Sequence, residues 1–143
     1  MPRVSRRPVD KKLDQELKEN FTSLISNLKA STDVEGFFAN FLSKEEKIML
    51  GKRLVLHLML ENDYKTTQIE SLLRMSRETV RIHRLIWQNG DMVYRGVLRK
   101  IVKQQKTTDF FKKLDFLLKP LGLAMRARND MRARAKLASG DFS

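Results

Sequence analysis

Apolar residues recur at helical spacing through the first part of the chain. In the segment from Lys12 to Lys29 they follow one another at intervals of four, four, three and four positions, which places them on one face of an amphipathic helix. They are Leu13, Leu17, Phe21, Leu24 and Leu28. Thr32 and Glu35 then form a capping box, which predicts a second, short helix. Its apolar residues are Val34, Phe37, Phe38 and Phe41.

A third helix is predicted over residues 44–61, with a second capping box at its start formed by Ser43 and Glu46. Its apolar residues surround nearly the whole circumference, so its second half is expected to be buried on most sides, in the core or against another subunit. They are Ile48, Met49, Leu50, Leu54, Val55, Leu56, Leu58, Met59 and Leu60. His57 lies among them, where a core or interface histidine is the expected role.

Two short helices joined by a tight turn are predicted between residues 66 and 88. The Asn62-Asp63 pair ends the third helix, and Thr66 or Thr67 can cap the fourth. Ser76 is a good N-cap for the fifth helix, and the Asn89-Gly90 pair can end it in the left-handed conformation. The spacing predicts that four apolar residues form the inner faces of this pair. These are Ile69, Leu73, Met75 and Val80.

Beyond residue 91 the pattern indicates a sixth and a seventh helix without defining where they begin, and Pro120 is expected to close the seventh. The apolar residues of the sixth are Met92, Val93, Val97, Leu98, Ile101 and Val102, and those of the seventh are Phe110, Phe111, Leu114, Leu117 and Leu118. Residues 124–138 are interpreted as an exposed basic helix or as a tail that orders on binding. No segment alternates as a strand does, so the predicted fold class is all-α. The expected organisation is a basic arm over residues 1–11, a helical core over 12–90, additional helices over 91–123 and a basic tail over 124–143.

Positive charge is concentrated in the second half of the chain. Residues 1–70 hold 12 basic and 11 acidic side chains, whereas residues 71–143 hold 17 and 6, within a net charge of +12. Such an asymmetry favours a polyanionic partner, and nucleic acid is the commonest one for a basic domain. A merely solvated basic surface is the alternative.

Composition argues against most enzyme classes. The chain has no cysteine, which excludes disulfides, thiolate nucleophiles and sulfur-ligated metal centres. Its two histidines are a poor basis for a catalytic metal centre, and its six glycines form neither a phosphate-binding loop nor a dinucleotide fingerprint. We therefore expect no enzyme activity and no cofactor. The most apolar window, Leu54 to Leu60, is too short to span a membrane, so a cytoplasmic protein with no membrane partner is expected.

The fifth helix carries the main candidate binding residues. Arg77, Arg81 and Arg84 fall at positions i, i+4 and i+7, a ridge that could enter a major groove. Arg74 stands where such turns usually have glycine, and it would have to tolerate or avoid positive φ. The candidate DNA-binding residues are Thr67, Gln68, Ser76, Arg77, Glu78, Thr79, Arg81 and Arg84. The candidate phosphate contacts are Arg126, Arg128, Arg132 and Arg134.

The segment from Phe41 to Leu54 reads Phe-Leu-Ser-Lys-Glu-Glu-Lys-Ile-Met-Leu-Gly-Lys-Arg-Leu, and an apolar helix, an acidic break and the helix-turn-helix pattern follow it. This order resembles the tryptophan repressor family over roughly residues 12–88. The Leu-Ser-Lys-Glu-Glu and Leu-Gly-Lys-Arg segments are the sharpest local matches. The resemblance implies an intertwined homodimer of six-helix subunits, in which the N-terminal helices interlock and two recognition helices address a two-fold related site on double-stranded DNA.

The resemblance also bears on ligand binding. In the tryptophan repressor family the amino acid is held between an arginine on the third helix and another on the recognition helix. Arg53 matches the first and is the candidate ligand-binding residue, whereas Ile82 stands at the position of the second. Arg74, Ser76 and His83 replace the small residues that admit the indole. We therefore expect a repressor-like regulator that does not respond to tryptophan, and the identity of any other small-molecule effector stays open.

The main alternative is a sequence-tolerant nucleic-acid-binding protein, either architectural, associated with a mobile element or RNA-binding. Basic residues between 95 and 136 could hold phosphates without reading bases. RNA recognition usually relies on aromatic stacking, and most of the eight phenylalanines belong to apolar helical stripes, which favours duplex DNA. A protein–protein scaffold is the third class, and it would leave the basic ridge without a role.

Overall fold

The computed structural model describes residues 7–126 and 138–140, with only the backbone described for residues 120–126. Over this part of the chain the prediction of an all-α protein is confirmed, with seven helices. They are α1 Lys11–Asn27, α2 Ser31–Phe41, α3 Lys44–Glu61, α4 Thr66–Leu73, α5 Arg77–Gln88, α6 Met92–Val102 and α7 Gln105–Arg126. Among the helices described, none is long and apolar enough to cross a bilayer. The chain divides into two compact units, residues 1–51 and residues 52–143.

The first unit has no buried side chain among its described residues, 7–51. The predicted apolar stripe of α1 is present, but most of its members are about half exposed. A contact between aromatic rings joins α1 to α2, and α2 has ring contacts of its own. Phe37 and Phe41 stack with ring centres 5.0 Å apart, and the ring of Phe21 lies 6.3 Å from that of Phe41. The unit therefore has a small aromatic cluster instead of an enclosed core.

The two capping boxes predicted for this unit have different outcomes. The box at the start of α3 is confirmed, because the Glu46 N–H donates to Ser43 Oγ at 3.2 Å and the Ser43 N–H donates to Glu46 Oε2 at 2.8 Å. The box at Thr32 and Glu35 is wrong. The helix α2 already begins at Ser31 and no side chain caps it, so Thr32 lies inside the first turn, where its hydroxyl cannot act as an N-cap.

The second unit has a hydrophobic core formed by the end of α3 and by α4 to α7. Residues 56–60 of α3 are all buried, as predicted for its second half, whereas Leu54 of the same half is about half exposed. The helix α4 packs on α5 and α7, and α6 packs on α7. The buried apolar side chains are Leu56, Leu58, Met59, Leu60, Tyr64, Ile69, Val80, Leu98, Phe111 and Leu114.

Glu61, whose side chain is nearly buried, joins the end of α3 to α5 and α6. Its Oε2 accepts hydrogen bonds from Trp87 Nε1 at 2.8 Å and Arg95 Nε at 2.9 Å, and its Oε1 accepts one from Arg99 Nε at 3.0 Å. Burial alone would raise the pKa of Glu61, but these hydrogen bonds hold it below its ordinary value. The Arg95 guanidinium also lies 4.0 Å from the centre of the Trp87 ring. Two arginines of the basic half are therefore engaged in internal structure.

The start of α4 differs from the prediction. The helix begins at Thr66, so Thr66 and Thr67 lie inside its first turn and Lys65 is the N-cap residue. The lysine side chain has no acceptor atom, so the capping bond runs in the opposite direction, with the Lys65 N–H donating to Gln68 Oε1 at 2.8 Å. The prediction that a threonine caps α4 is therefore wrong.

The Asn89-Gly90 pair ends α5 as predicted, but without a left-handed residue. Asn89 has φ −85° and ψ 0°, and Gly140 is the one glycine with positive φ in the described part of the chain. Gly90 is required for space instead, because a Cβ at this position would overlap the ring of Tyr94 and lie 3.2 Å from the carbonyl oxygen of Trp87.

The seventh helix does not end at Pro120, as the sequence predicted, but continues to Arg126. The φ of proline is that of a helix, so a helix can continue through it with the loss of one backbone hydrogen bond. At the start of α6, the Asp91 carboxylate accepts the Tyr94 N–H at 2.8 Å and caps the helix, a role that the sequence analysis missed.

Candidate nucleic-acid interface

The helices α4 and α5 form a hairpin whose inner face matches the predicted one. Ile69 and Val80 are fully buried, and Leu73 and Met75 are half-buried against the same core. Arg74, in the turn, has φ 50° and ψ 54°, which is the left-handed conformation. A non-glycine residue adopts it at a cost of about 1–2 kcal/mol. The tight turn is therefore made, but with a strained residue where glycine would be relaxed.

The predicted N-cap of α5 is confirmed. Ser76 Oγ accepts the Thr79 N–H at 3.2 Å and lies 2.8 Å from Thr79 Oγ1. These two hydroxyls are therefore engaged with each other and with the helix end, although Ser76 itself is exposed. The next residues, Arg77 and Glu78, are also exposed, as is Arg81 one turn further along. The first two turns of α5 thus present two cations and one carboxylate to solvent.

Glu78 and Arg81 form a bidentate ion pair on this exposed face. Arg81 Nε donates to Glu78 Oε2 at 2.9 Å, and Arg81 Nη2 donates to Glu78 Oε1 at 2.6 Å. The hydrogen bonds from Arg81 lower the pKa of Glu78, and the bond to Glu78 raises that of Arg81. Arg77 has no hydrogen bond or ion pair with any other described residue. The two exposed arginines of α5 therefore differ in their freedom to move.

Arg84 does not belong to the exposed ridge that the sequence predicts. It is half-buried, and its Nη2 donates to Thr66 Oγ1 at 2.8 Å, so it joins α5 to the start of α4. Its angle around the helix axis differs from that of Arg77 by about 20°, so its burial comes from the neighbouring start of α4 and not from its place on the ridge. Thr67 is exposed on α4, whereas the Gln68 carboxamide is occupied in capping that helix.

The second half of α5 carries apolar side chains on its exposed surface. Ile82, Leu85 and Ile86 are each nearly half exposed, although their spacing in the sequence is typical of residues that face a core. Exposed apolar residues continue into α6, where they are Met92, Val93 and Val97. The cationic part of α5 is therefore confined to its N-terminal half, which is the part of a recognition helix that contacts base edges.

Behind α5 lies a buried pair of histidines that the sequence analysis did not bring together. His57 of α3 and His83 of α5 are both buried, with 3.1 Å between His57 Nε2 and His83 Nδ1. The Tyr94 hydroxyl of α6 contacts His57 Nδ1. With both rings neutral, the two bonds run in one direction along this row, either from Tyr94 through His57 to His83 or from His83 through His57 to Tyr94. The inner side of α5 carries Val80, His83 and Trp87, at spacings of three and four. This spacing is the sequence signal that could have placed His83 on the buried side of the helix.

The histidine pair is held in the neutral state. Burial lowers the pKa of His57 to about 4, and the charges of His83 and Arg53 act in the same direction. Burial and the charge of Arg53 also lower the pKa of His83. Arg53, the candidate ligand-binding residue, is therefore close to a set of neutral, hydrogen-bonded rings. No cluster of three or more His, Cys, Asp or Glu side chains that could hold a metal ion occurs among the residues described.

The side chains of the four candidate phosphate contacts in the basic tail are not described by the structure. Arg126 is the last residue of α7, and only its backbone is described. Arg128, Arg132 and Arg134 lie outside the described residues, so their role stays a prediction. Comparison of the chain with protein-family models, with curated proteins and with solved structures found no match.

Proposed function

We propose that the chain is a sequence-specific double-stranded-DNA-binding regulator of the repressor type, similar in plan to the tryptophan repressor family. The α4–α5 hairpin is the helix-turn-helix, and α5 is the recognition helix. The observation that carries the proposal is the pair of exposed arginines, Arg77 and Arg81, on the first two turns of a helix whose opposite face is anchored in a core.

The dimensions of α5 are compatible with this role. A helix with its side chains is about 10–12 Å wide and fits the B-DNA major groove, which is about 12 Å wide. Arg77 and Arg81 are four residues apart, which is about 6 Å along the helix axis and close to the height of two base-pair steps. The anchoring of α5 by Val80, His83 and Trp87 provides the rigid support that base recognition requires.

A homodimer completes the proposal. The first unit exposes its apolar stripe on α1 and apolar side chains on the first half of α3, among them Ile48, Met49 and Leu50. Exposed apolar surface of this extent is typical of an interface. A second copy is the partner that the resemblance implies, and a two-fold dimer would present two copies of α5 to a two-fold related DNA site.

Tryptophan is not expected to be the effector. The second arginine of the clamp is absent, and Ile82, which stands in its place, is nearly half exposed and offers no donor. The surroundings of Arg53 include His57 and His83, whose lowered pKa values leave them uncharged at neutral pH. A buried carboxylate would therefore have one cation to pair with, and a partly paired buried charge is costly.

Selection of bound duplexes from a random DNA pool tests the function directly. A two-fold symmetric consensus would support the specific regulator, and Arg77→Ala and Arg81→Ala should each weaken binding to it by about 1–3 kcal/mol. Featureless recovery of all duplexes would contradict it. That result would favour the sequence-tolerant alternative, to which the exposed apolar half of α5 and the basic excess of residues 71–143 are equally suited.

A further inference from the structure

The ion pair between Glu78 and Arg81 uses one particular edge of the guanidinium. Glu78 takes the Nε hydrogen and one of the Nη2 hydrogens, which together form the side edge of the group. A guanidinium has five N–H donors, so three remain. One hydrogen on Nη1 and one on Nη2 are parallel to each other and form the outer edge. This outer edge is left available at the tip of Arg81, which is exposed on the outward face of α5.

Two parallel N–H donors are the group that a guanine recognises. Guanine presents its O6 and N7 acceptors side by side in the major groove, and a bidentate arginine is their commonest specific partner. An unrestrained arginine also meets backbone phosphates, which carry no sequence information. A carboxylate bonded to the side edge limits such phosphate contacts. It fixes the orientation of the fork, and its negative charge disfavours a phosphate beside it.

We propose that Glu78 is a positioning residue that fixes Arg81 to read a guanine in the major groove, and so determines specificity at one base pair. The inference rests on the proposed function, since it requires that α5 enters the groove of a DNA duplex. Arg77 is the natural comparison. It lies on the same exposed turn but has no acidic partner in the described part of the chain, so nothing there restrains its guanidinium.

The test is duplex selection and affinity measurement with Glu78→Ala, Glu78→Gln and Arg81→Ala, and with Arg77→Ala as the matched control. We expect Glu78→Ala to lower the ratio of affinity for the preferred duplex to affinity for random duplex about tenfold, with the guanine preference lost at one position. Affinity for random duplex should stay the same or rise, because a negative charge has been removed. Glu78→Gln, which keeps one acceptor, should fall between Glu78→Ala and the unaltered chain.

A double-mutant cycle separates positioning from an independent contact. If Glu78 acts through Arg81, Glu78→Ala should have no further effect on the ratio in an Arg81→Ala background, whereas in an Arg77→Ala background its tenfold effect should persist. A carboxyl titration by NMR without DNA gives a second readout, since Arg81→Ala should raise the pKa of Glu78 and Arg77→Ala should raise it less. Because the Glu78 side chain is mostly exposed to solvent, circular dichroism should show all variants folded.

The outcomes distinguish the two proposals. If the unaltered chain selects a consensus and Glu78→Ala selects the same one with the same ratio, the positioning role is overturned while the DNA-binding function stands. If the unaltered chain selects no consensus, the proposed function fails and the base-reading role of the pair fails with it. An additive cycle between Glu78 and Arg81 would also overturn the positioning role.

Discussion

The two units of the chain contain the same kinds of apolar residue, but they differ in how far these residues are buried. In the second unit, residues such as Met59 and Ile69 are completely enclosed. In the first unit the stripe on α1 is exposed, with Leu17 at 53% and Phe21 at 48% of their surface. Most helical stability in proteins comes from packing an amphipathic face. The second unit therefore encloses its own core, whereas the first leaves its apolar stripe exposed, which is the observation behind the proposed dimer.

The same contrast occurs within a single helix. Ile48, in the first half of α3, and Leu54, just past its middle, are about half exposed, whereas residues 56–60 are buried. Residues 44–52 carry three large apolar and five charged side chains, whereas residues 53–61 carry six apolar and two charged ones, so the enclosed end of α3 is also its more apolar half.

The largest effect is expected from a charge in the stripe of α1. Phe21→Asp would place a carboxylate in the proposed interface of both copies, at a cost of several kcal/mol in each. Light scattering at micromolar concentration should then give about 16.8 kDa, whereas we expect about twice that mass for the unaltered chain. Ser23→Asp, on the same helix but outside the stripe, is the control and should leave the mass doubled. An unaltered mass for Phe21→Asp would contradict the interface.

Two isoleucines of the hairpin provide a matched test of burial. Ile69→Ala removes a side chain with no exposed surface and should lower the free energy of unfolding by about 2–5 kcal/mol. Ile82→Ala, at 45% exposure, should lower it by less than about 1 kcal/mol. Urea unfolding of the full chain measures both. Equal losses would show that Ile82 is enclosed in solution, and the assignment of the outward face of α5 would be wrong.

The buried histidines make the second unit sensitive to acid. His57 has an ordinary pKa of 6.5 when unfolded and about 4 when folded, so between these values the unfolded state binds more protons. Stability should be complete above about pH 6.5 and fall as the pH decreases toward 4, by up to about 3 kcal/mol for this residue. Urea unfolding between pH 7.5 and 4 measures the decline. His57→Gln should flatten the profile over this interval, and an unchanged slope would contradict the assignment.

The strained turn predicts a small gain. Arg74 has positive φ, which costs a non-glycine residue about 1–2 kcal/mol, whereas glycine loses about 0.5–1 kcal/mol more than alanine in chain entropy. Arg74→Gly should therefore raise the free energy of unfolding by up to about 1 kcal/mol. Arg77→Gly, inside the first turn of α5, should lower it by a similar amount. A loss of stability in Arg74→Gly would show that the arginine makes a contact stronger than its strain.

Helix positions were predictable from the sequence because their signals are local. The apolar spacing in α1 and α3, the capping box at Ser43 and the N-cap at Ser76 each depend on residues within a few positions of one another, and each is confirmed. The wrong helix ends have local causes as well. Thr32 and Thr66 are of the residue type that caps helices well. However, α2 begins at Ser31 and α4 begins at Thr66, so each threonine lies inside its helix and cannot cap it.

Features that depend on distant residues were not predictable. The pairing of His57 with His83, and the capture of two arginines by Glu61, join positions 26 to 38 residues apart. The bond from Arg84 to Thr66 likewise removes from the exposed ridge a residue that spacing alone assigned to it. The exposure of the apolar residues on α5 could not be predicted either, because Ile82, Leu85 and Ile86 have the composition of a core stripe.

The most direct test of the account is the number of chains bound per duplex. Sedimentation of the protein with a duplex carrying the selected site should give two chains per duplex, with Phe21→Asp reduced to weak binding of one chain. That result would join the exposed stripe of the first unit to the recognition helix of the second in one functional dimer. A folded, monomeric chain that binds its site tightly as one copy per duplex would contradict the account.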